Sequence, residues 1–380
     1  MVEAGRSDMS GVTDILVVGA GPAGLALALQ AHCHGARVRI VDRRTEVFRP
    51  SRALILHPRT LEVLRPLGVA DAVLTRANTA PAAELHLGRR TIHVQLGELA
   101  LPDTSFPHVT LVRQMDIETV LVDALATRGI LVERSTDAIE VETTASGAVA
   151  RLRSPTGDET CECRFVVGCD GPDSTVRCWA GIPWNGGTYG QEIVLADVEL
   201  EGDLADDVTH VAVARRGLVL VFALGEYAKW RVLAAQPAGH DQLAFGQPGP
   251  EVPLEDLQAL LANAGFEAMI TNLAWSARYR LQHRLAERFR AGNLFLAGDA
   301  AHAYSPATGQ GMNTGIQDAL NLGWKLAFAP DARDQEALLA SYEAERHPIV
   351  RRVLALTHAA FWFEAPLACC HRWCAASPCR

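Results

Sequence analysis

The sequence predicts an α/β fold, a Rossmann-like parallel sheet accompanied by a separate β-sheet. Three observations predict it. Residues 14–44 read DILVVGAGPAGLALALQAHCHGARVRIVDRR: an apolar run, a glycine turn, an alanine- and leucine-rich stretch of helical length and a second apolar run ending in Asp42. Two later apolar runs, 165–167 and 294–297, also end in glycine and aspartate, at Gly168 and Asp170 and at Gly298 and Asp299. Between 191 and 232 the texture changes to repeated β-type runs bounded by Gly, Asp or charged residues.

Each element follows from its pattern. The first unit is strand, turn, helix, strand; a right-handed crossover then places the glycine turn at the carboxyl end of the first strand. Residues 59–67 and 114–126 read as helices, the second with Ile117, Val120, Leu121, Ala124 and Leu125 on one face. Residues 84–96 read as short extended pieces broken by Gly88, and 131–133 and 139–141 as strands. The separate sheet draws on 196–200, 210–214, 218–224 and 230–233. A Pro- and Gly-rich connection, 247–253, leads to a helix over 254–264, and 314–327 is a long helix.

The chain of 380 residues is long enough for two domains at roughly 150 residues each. With 49% hydrophobic residues it can bury a sizeable core. Thirty-five basic against 44 acidic residues leave a net charge of −9, which disfavours nucleic acid or an anionic membrane as partner. Residues 1–11 lack an apolar signal core and no uninterrupted apolar run reaches membrane length, so a soluble, cytoplasmic chain is expected. Nine cysteines suit reduced thiols. Cys161, Cys163 and Cys169 lack the paired spacing of a zinc site, and the tail cysteines match no zinc pattern, so no metal is expected. The tail itself, 359–380, is expected to be weakly ordered.

Gly19, Gly21 and Gly24 form Gly-x-Gly-x-x-Gly, with Asp42 ending the next strand. The first glycine permits a tight turn, the second lets the backbone approach a pyrophosphate and the third allows close helix packing, while Asp42 would accept hydrogen bonds from a ribose. Arg43 and Arg44 imitate a 2′-phosphate site, but the preceding acid would repel that phosphate and a solvated strand end is expected. This motif alone does not separate NAD from FAD. The second aspartate loop does, because Asp299 can bind a sugar-alcohol chain while backbone N–H groups around Gly311, Met312 and Asn313 face an anionic ring edge. That combination suits a flavin. His302 beside it is expected to bond a backbone carbonyl rather than act as a general base.

With VVGCDGPDSTVR at 166–177 and LFLAGDAAHAYSPATGQGMNTGIQDALNLGWKLA at 294–327, the chain resembles the single-component, FAD-dependent aromatic hydroxylases with the p-hydroxybenzoate hydroxylase fold. The resemblance runs from about residue 14 to 357. It is strongest to the hydroxylases that tailor polycyclic aromatic polyketides in actinomycetes, through SRALILHPRTLEVLRPLG and the long segment above. It implies an FAD-binding domain assembled from 12–77, 108–181 and 282–358 and a mainly antiparallel substrate domain inserted as 78–107 and 182–281; many relatives continue into a thioredoxin-like C-terminal domain, for which this chain is expected to have no room. Gly19, Gly21 and Gly24 would hold the FAD pyrophosphate and Asp42 the adenosine ribose, with Ala23 and Arg43 in the same cofactor-contacting set. Gln114 would touch FAD from the helix it opens, Asp170 and Gly171 would serve FAD and NAD(P)H, and Asp299 the ribityl or phosphate portion. Arg52 would sit by a mobile flavin ring, and Pro306 with Gly309, Gly311, Met312 and Asn313 would line its reacting edge; Arg52, Pro306 and Gly309 are the catalytic candidates. Asp42 stands where Glu is more usual, and Thr308 where many relatives have a second glycine.

The implied reaction has NADPH or NADH as transient reductant, molecular oxygen as co-substrate and a flavin 4a-hydroperoxide that passes oxygen to a small-molecule aromatic. A monomer or homodimer is expected. The same fold also supports Baeyer–Villiger and antibiotic-inactivating monooxygenases, and more distantly a non-catalytic flavin- or polyketide-binding protein. The halogenase Trp-x-Trp-x-Ile-Pro signature is absent from the sequence.

Overall fold

The computed structural model describes residues 13–46, 53–79, 81–87, 90–95, 103–214, 217–225, 227–238, 249–305 and 309–364. Strand β1 (Thr13–Val18) has four consecutive buried residues, the run that a strand covered on both faces requires. It pairs in parallel with β2 (Val38–Asp42) on one side and with Gly157–Gly168 on the other, Val18 lying opposite both Val41 and Gly168. Val132–Arg134 continues the sheet beyond β2, and Leu294–Leu296 continues it beyond Gly157–Gly168. The chain therefore winds outward from β1 in one direction, then returns to build on β1's other side. Ligands of open α/β sheets bind at the carboxyl ends of the strands flanking such a switch point.

Helix α1 (Pro22–Cys33) is buried from Gly24 to Leu29 and again at Ala31, which explains its Ala, Leu and Gly content. Against it lies the helix Gln310–Phe328, where a Cβ at Gly323 would come within 2.9 Å of Gln30 Cβ. That helix starts four residues before the expected 314. Gly157–Gly168 is longer than the predicted 165–167: its first half pairs antiparallel with Ala148–Ser154, so one strand serves both the parallel sheet and an antiparallel arm.

Among the described residues the second sheet has eight strands and is antiparallel except for one parallel pair, Ala82–Leu87 with Val208–Ala214. Its spine is two 19-residue strands, Trp184–Gly202 and Ala268–Ala286. The second was not anticipated. Alternation is legible around Tyr279 and Leu281, but the pairing is interrupted by three register shifts that break the period of two. Val194, Ala196 and Val198 face a core closed by the helix Leu254–Asn263, while Ile193, Leu195, Ala277 and Tyr279 form a second cluster. The last helix, Gln335–Glu364, carries Pro348 inside it and returns to the parallel sheet through Tyr342, whose hydroxyl donates to the Leu296 carbonyl at 2.7 Å. Among the described residues no helix is long and apolar enough to cross a membrane.

Candidate functional site

The three glycines of the first turn divide by what surrounds them. Gly19 has φ +101°, and a Cβ there would lie 2.4 Å from the Cys169 carbonyl oxygen. Gly24 is tighter, since a Cβ would fall 1.9 Å from the Gly19 carbonyl oxygen. Gly21, which caps α1, has nothing within 4 Å of its Cβ position. The turn is thus closed on its protein side and open at the helix N-terminus, the geometry an anionic group needs.

Asp42 closes the adjoining strand, 7% exposed. Its carboxylate accepts N–H bonds from Ala20 (2.8 Å) and Arg44 (2.9 Å), and Arg134 stands 3.5 Å away. Arg43 and Arg44 are exposed, as a solvated strand end requires. Gln114 donates to Glu118 at 2.8 Å, so its amide is held from within its own helix. Glu118 is buried, and that burial pushes its carboxyl up to about 7 against the pull of Gln114, Arg134 and Arg44. Sequence reasoning missed it.

Asp170 follows Gly168 and Cys169 off the central strand. Oδ2 accepts from Thr175 N–H at 2.7 Å and Oδ1 is enclosed without a partner among the described residues, and burial raises its carboxyl above the usual range. Gly171, at φ +82°, has no neighbour within 4 Å of a Cβ.

Asp299 sits in a short 3-10 turn, Gly298–Ala300, and accepts no hydrogen bond from any described residue. Gly298 has φ +62° and a Cβ position only 3.0 Å from Ala23 Cβ, with Gly315 Cα at 3.7 Å. Ala23, Gly298 and Gly315 thus let α1, the aspartate turn and the Gln310–Phe328 helix converge, and the Ala23 methyl is used in that packing. Gly309 caps the helix in the left-handed region at φ +62°, where a Cβ would strike Ile55 Cβ at 2.9 Å, whereas Gly311 faces open space. Asn313 is fully buried and its side chain is saturated. It donates to the carbonyls of Ile55 (2.9 Å) and Gly309 (2.8 Å) and accepts from His57 N–H (2.8 Å) and Thr60 Oγ1 (2.7 Å). Its place in the site is to aim the helix start.

Behind these loops lies a buried charge cluster. Asp318 accepts from Arg346 Nε at 2.7 Å and pairs with His302 Nε2 at 2.5 Å, and the Gly298 N–H points to it at 3.4 Å. Burial opposes its charge, yet His302 and Arg346 hold its carboxyl below the usual range. This corrects the expectation for His302, whose partner is a carboxylate and not a backbone carbonyl. Arg177 donates to the carbonyls of Pro172 (2.7 Å) and Ala300 (3.0 Å), clamping both aspartate loops, while its guanidinium stacks 3.8 Å from the Trp184 ring centroid. Nothing local in the sequence signals either cluster, because the partners are brought together only by folding. Arg52, Pro306 and the tail from 365 lie outside the described residues.

These residues fit a flavin dinucleotide. No described atom lies within 4 Å of a Cβ at Gly21, Gly171 or Gly311, and Asp299 offers a carboxylate that accepts no hydrogen bond from a described residue. The sheet order and the acid ending β2 define a dinucleotide-binding protein of the Rossmann type. The chain belongs to the FAD binding domain family, whose pattern matches residues 12–357. It is 36% identical to 6-methylpretetramide 4-monooxygenase of Streptomyces rimosus over 91% of this chain and 61% of that enzyme. With rifampicin monooxygenase of Streptomyces venezuelae it shares 35% identity over 91% of this chain and 70% of the relative. The solved structure of the anhydrotetracycline hydroxylase OxyS from Streptomyces rimosus superposes with a TM-score of 0.76 at 32% identity, covering 93% of this chain and 69% of that one. The chain therefore spans about two thirds of the length of these relatives.

Proposed function

We propose that the protein is an FAD-dependent, NAD(P)H-consuming monooxygenase that hydroxylates a polycyclic aromatic substrate of the polyketide type. The observation that carries this reading is the meeting of Asp299, whose carboxylate accepts no hydrogen bond from a described residue, with a helix start that is open at Gly311, locked beside the glycine turn through Ala23, Gly298 and Gly315. The relatives named for 6-methylpretetramide and anhydrotetracycline support the substrate class. A bound FAD supplies hydride acceptance from NAD(P)H and activation of molecular oxygen for transfer to an electron-rich ring carbon.

The remaining work belongs to the chain. Gly21 and the N-terminus of α1 receive the pyrophosphate, Asp42 the adenosine ribose and Asp299 the ribityl chain. Backbone N–H groups of the Gln310–Phe328 helix stabilise negative charge at the ring edge, held in position by Asn313. Asp170 and Gly171 border the same space, Gln114 approaches from its helix, and Arg52 and Pro306 act at the ring. In this reading 12–77, 108–181 and 282–358 form the FAD part, and 78–107 with 182–281 the substrate part.

Anaerobic mixing of the yellow protein with NADPH and a panel of aromatic polyketides tests the proposal. Flavin bleaching should accelerate with a true substrate, and subsequent aeration with isotopically labelled oxygen should place one labelled atom in the product. Bleaching that stays at the substrate-free rate across the panel would favour a protein that binds flavin or polyketide without turnover. The likeness to rifampicin monooxygenase favours a second reading, an antibiotic-inactivating or oxygen-inserting enzyme. Product NMR separates ring hydroxylation from insertion.

A further inference from the structure

In the second sheet, Ala82–Leu87 and Val208–Ala214 run parallel with His210 opposite Glu84 and Ala212 opposite His86. Side chains two apart on a strand share a face, so Glu84, His86 and His210 converge although 124 residues separate the two histidines. His210 Nδ1 lies 3.2 Å from Glu84 Oε2 and 3.2 Å from His86 Nε2, and His86 Nε2 lies 3.8 Å from Glu84 Oε2. A tetrahedral ion with bonds of about 2.0–2.2 Å needs ligand atoms roughly 3.3–3.6 Å apart. The sides of 3.2, 3.2 and 3.8 Å bracket that spacing.

The hydrogen bonding of His210 points the same way. It is 1% exposed, and its Nε2 lies 2.9 Å from the Ala205 carbonyl oxygen, which can only accept. Nε2 therefore donates, and in the neutral ring Nδ1 presents a lone pair toward a carboxylate oxygen and a second imidazole. A proton on His86 Nε2 satisfies that lone pair from the imidazole side, but the Glu84 carboxylate still faces it at 3.2 Å, a repulsion that a cation held among the three groups removes. Metal-bound histidines characteristically donate their other ring nitrogen to a carbonyl in this way. Glu84 is held in turn: its Oε1 lies 3.3 Å from Nδ1 of the exposed His93, its partner on Arg90–Gln95. Phe266 meets the His86 and His210 rings edge-on, with centroids at 5.0 and 6.2 Å.

We propose that Glu84, His86 and His210 bind one divalent transition metal, zinc by the nitrogen-and-oxygen ligand set, and that the ion staples the 82–95 hairpin to the sheet built from 184–286. Cysteine spacing gave no hint of it, because the ligands are histidine and glutamate from two distant strands.

The test uses the full-length, FAD-loaded protein after chelator treatment, titrated with zinc chloride in a calorimeter and followed by thermal unfolding. One zinc per chain and a higher Tm are expected. Glu84→Gln, close to isosteric, and His86→Ala should each weaken zinc binding at least tenfold while leaving the flavin spectrum unchanged. Cobalt(II) should add ligand-field absorption on the long-wavelength side of the flavin bands, lost in both variants. Should His86→Ala lose its flavin, Glu84→Gln alone decides. The absence of saturable zinc binding by the wild-type protein, or undiminished one-to-one binding in Glu84→Gln, overturns the proposal and leaves the cluster as a hydrogen-bonded structural triad.

Discussion

Glycines in one turn serve unlike purposes, and substitution separates them. Gly21 has φ −79° and open space at its Cβ, so Gly21→Ala should leave the apoprotein's stability within about 0.5 kcal/mol while lowering FAD affinity at least tenfold. Gly24→Ala forces a methyl to 1.9 Å from a carbonyl oxygen, and both stability and flavin should be lost. Thermal unfolding of apoprotein beside a flavin fluorescence titration distinguishes the two, and equal behaviour would contradict the assigned roles. Glu118 yields a pH prediction. Its ordinary value is 4.5 and its folded value about 7, so the folded state holds the proton more tightly. The stability it contributes is full below about pH 4.5 and is lost as pH rises through 7, by up to roughly 3 kcal/mol. Glu118→Gln should remove that decline: equal to wild type in urea unfolding at the acid end, more stable at pH 8. The glycine roles were legible in the sequence because the motif's spacing is written in contiguous residues, although the carbonyl that crowds Gly19 belongs to distant Cys169. Glu118 was not, since its burial depends on what covers its helix.

Among the elements, the Gln310–Phe328 helix shows how a site is aimed. Its period and glycine-rich start are readable, but its first turn extends to Gln310 because Asn313 binds Ile55, His57, Thr60 and Gly309 across the fold. The same helix carries Asp318 into the cluster with His302 and Arg346. Removing one member of a fully buried charge cluster costs about 3–5 kcal/mol, so Asp318→Asn should unfold at markedly lower urea than wild type near neutral pH. The Asp318 carboxyl is depressed below its ordinary 3.8, so its contribution is present above that value and is lost as pH falls through the folded one. The gap between wild type and variant should therefore hold from pH 7 to 5 and close only in strong acid. A gap unchanged to the lowest pH at which both fold would mean Asp318 acts through shape and not charge. The strand Ala268–Ala286 escaped the sequence for a different reason, since its bulged register breaks the alternation that identifies strands.

The whole molecule is joined where Arg177 holds Pro172, Ala300 and the Trp184 ring, linking both aspartate loops to the first residue of a spine strand of the second sheet. Excess FAD should raise the Tm of the entire chain in one transition, because in the proposed reading it would bind residues of 19–24, 168–171, 298–299 and 309–313 together. Arg177→Met keeps much of the bulk but neither donor, and should lower both Tm and FAD affinity; a fall in Tm alone would limit Arg177 to a packing role. By itself the sequence determined the dinucleotide unit, the acid that ends β2, the two aspartate loops and the family, because each is written in contiguous residues whose chemistry is local. Only the tertiary structure decided which polar side chains face inward, as Asn313 and Asp318 do, and which histidines and glutamate meet on the second sheet. Those outcomes depend on strand pairing and helix packing between residues from sixteen to more than two hundred positions apart, and no periodicity along the chain encodes such a partner.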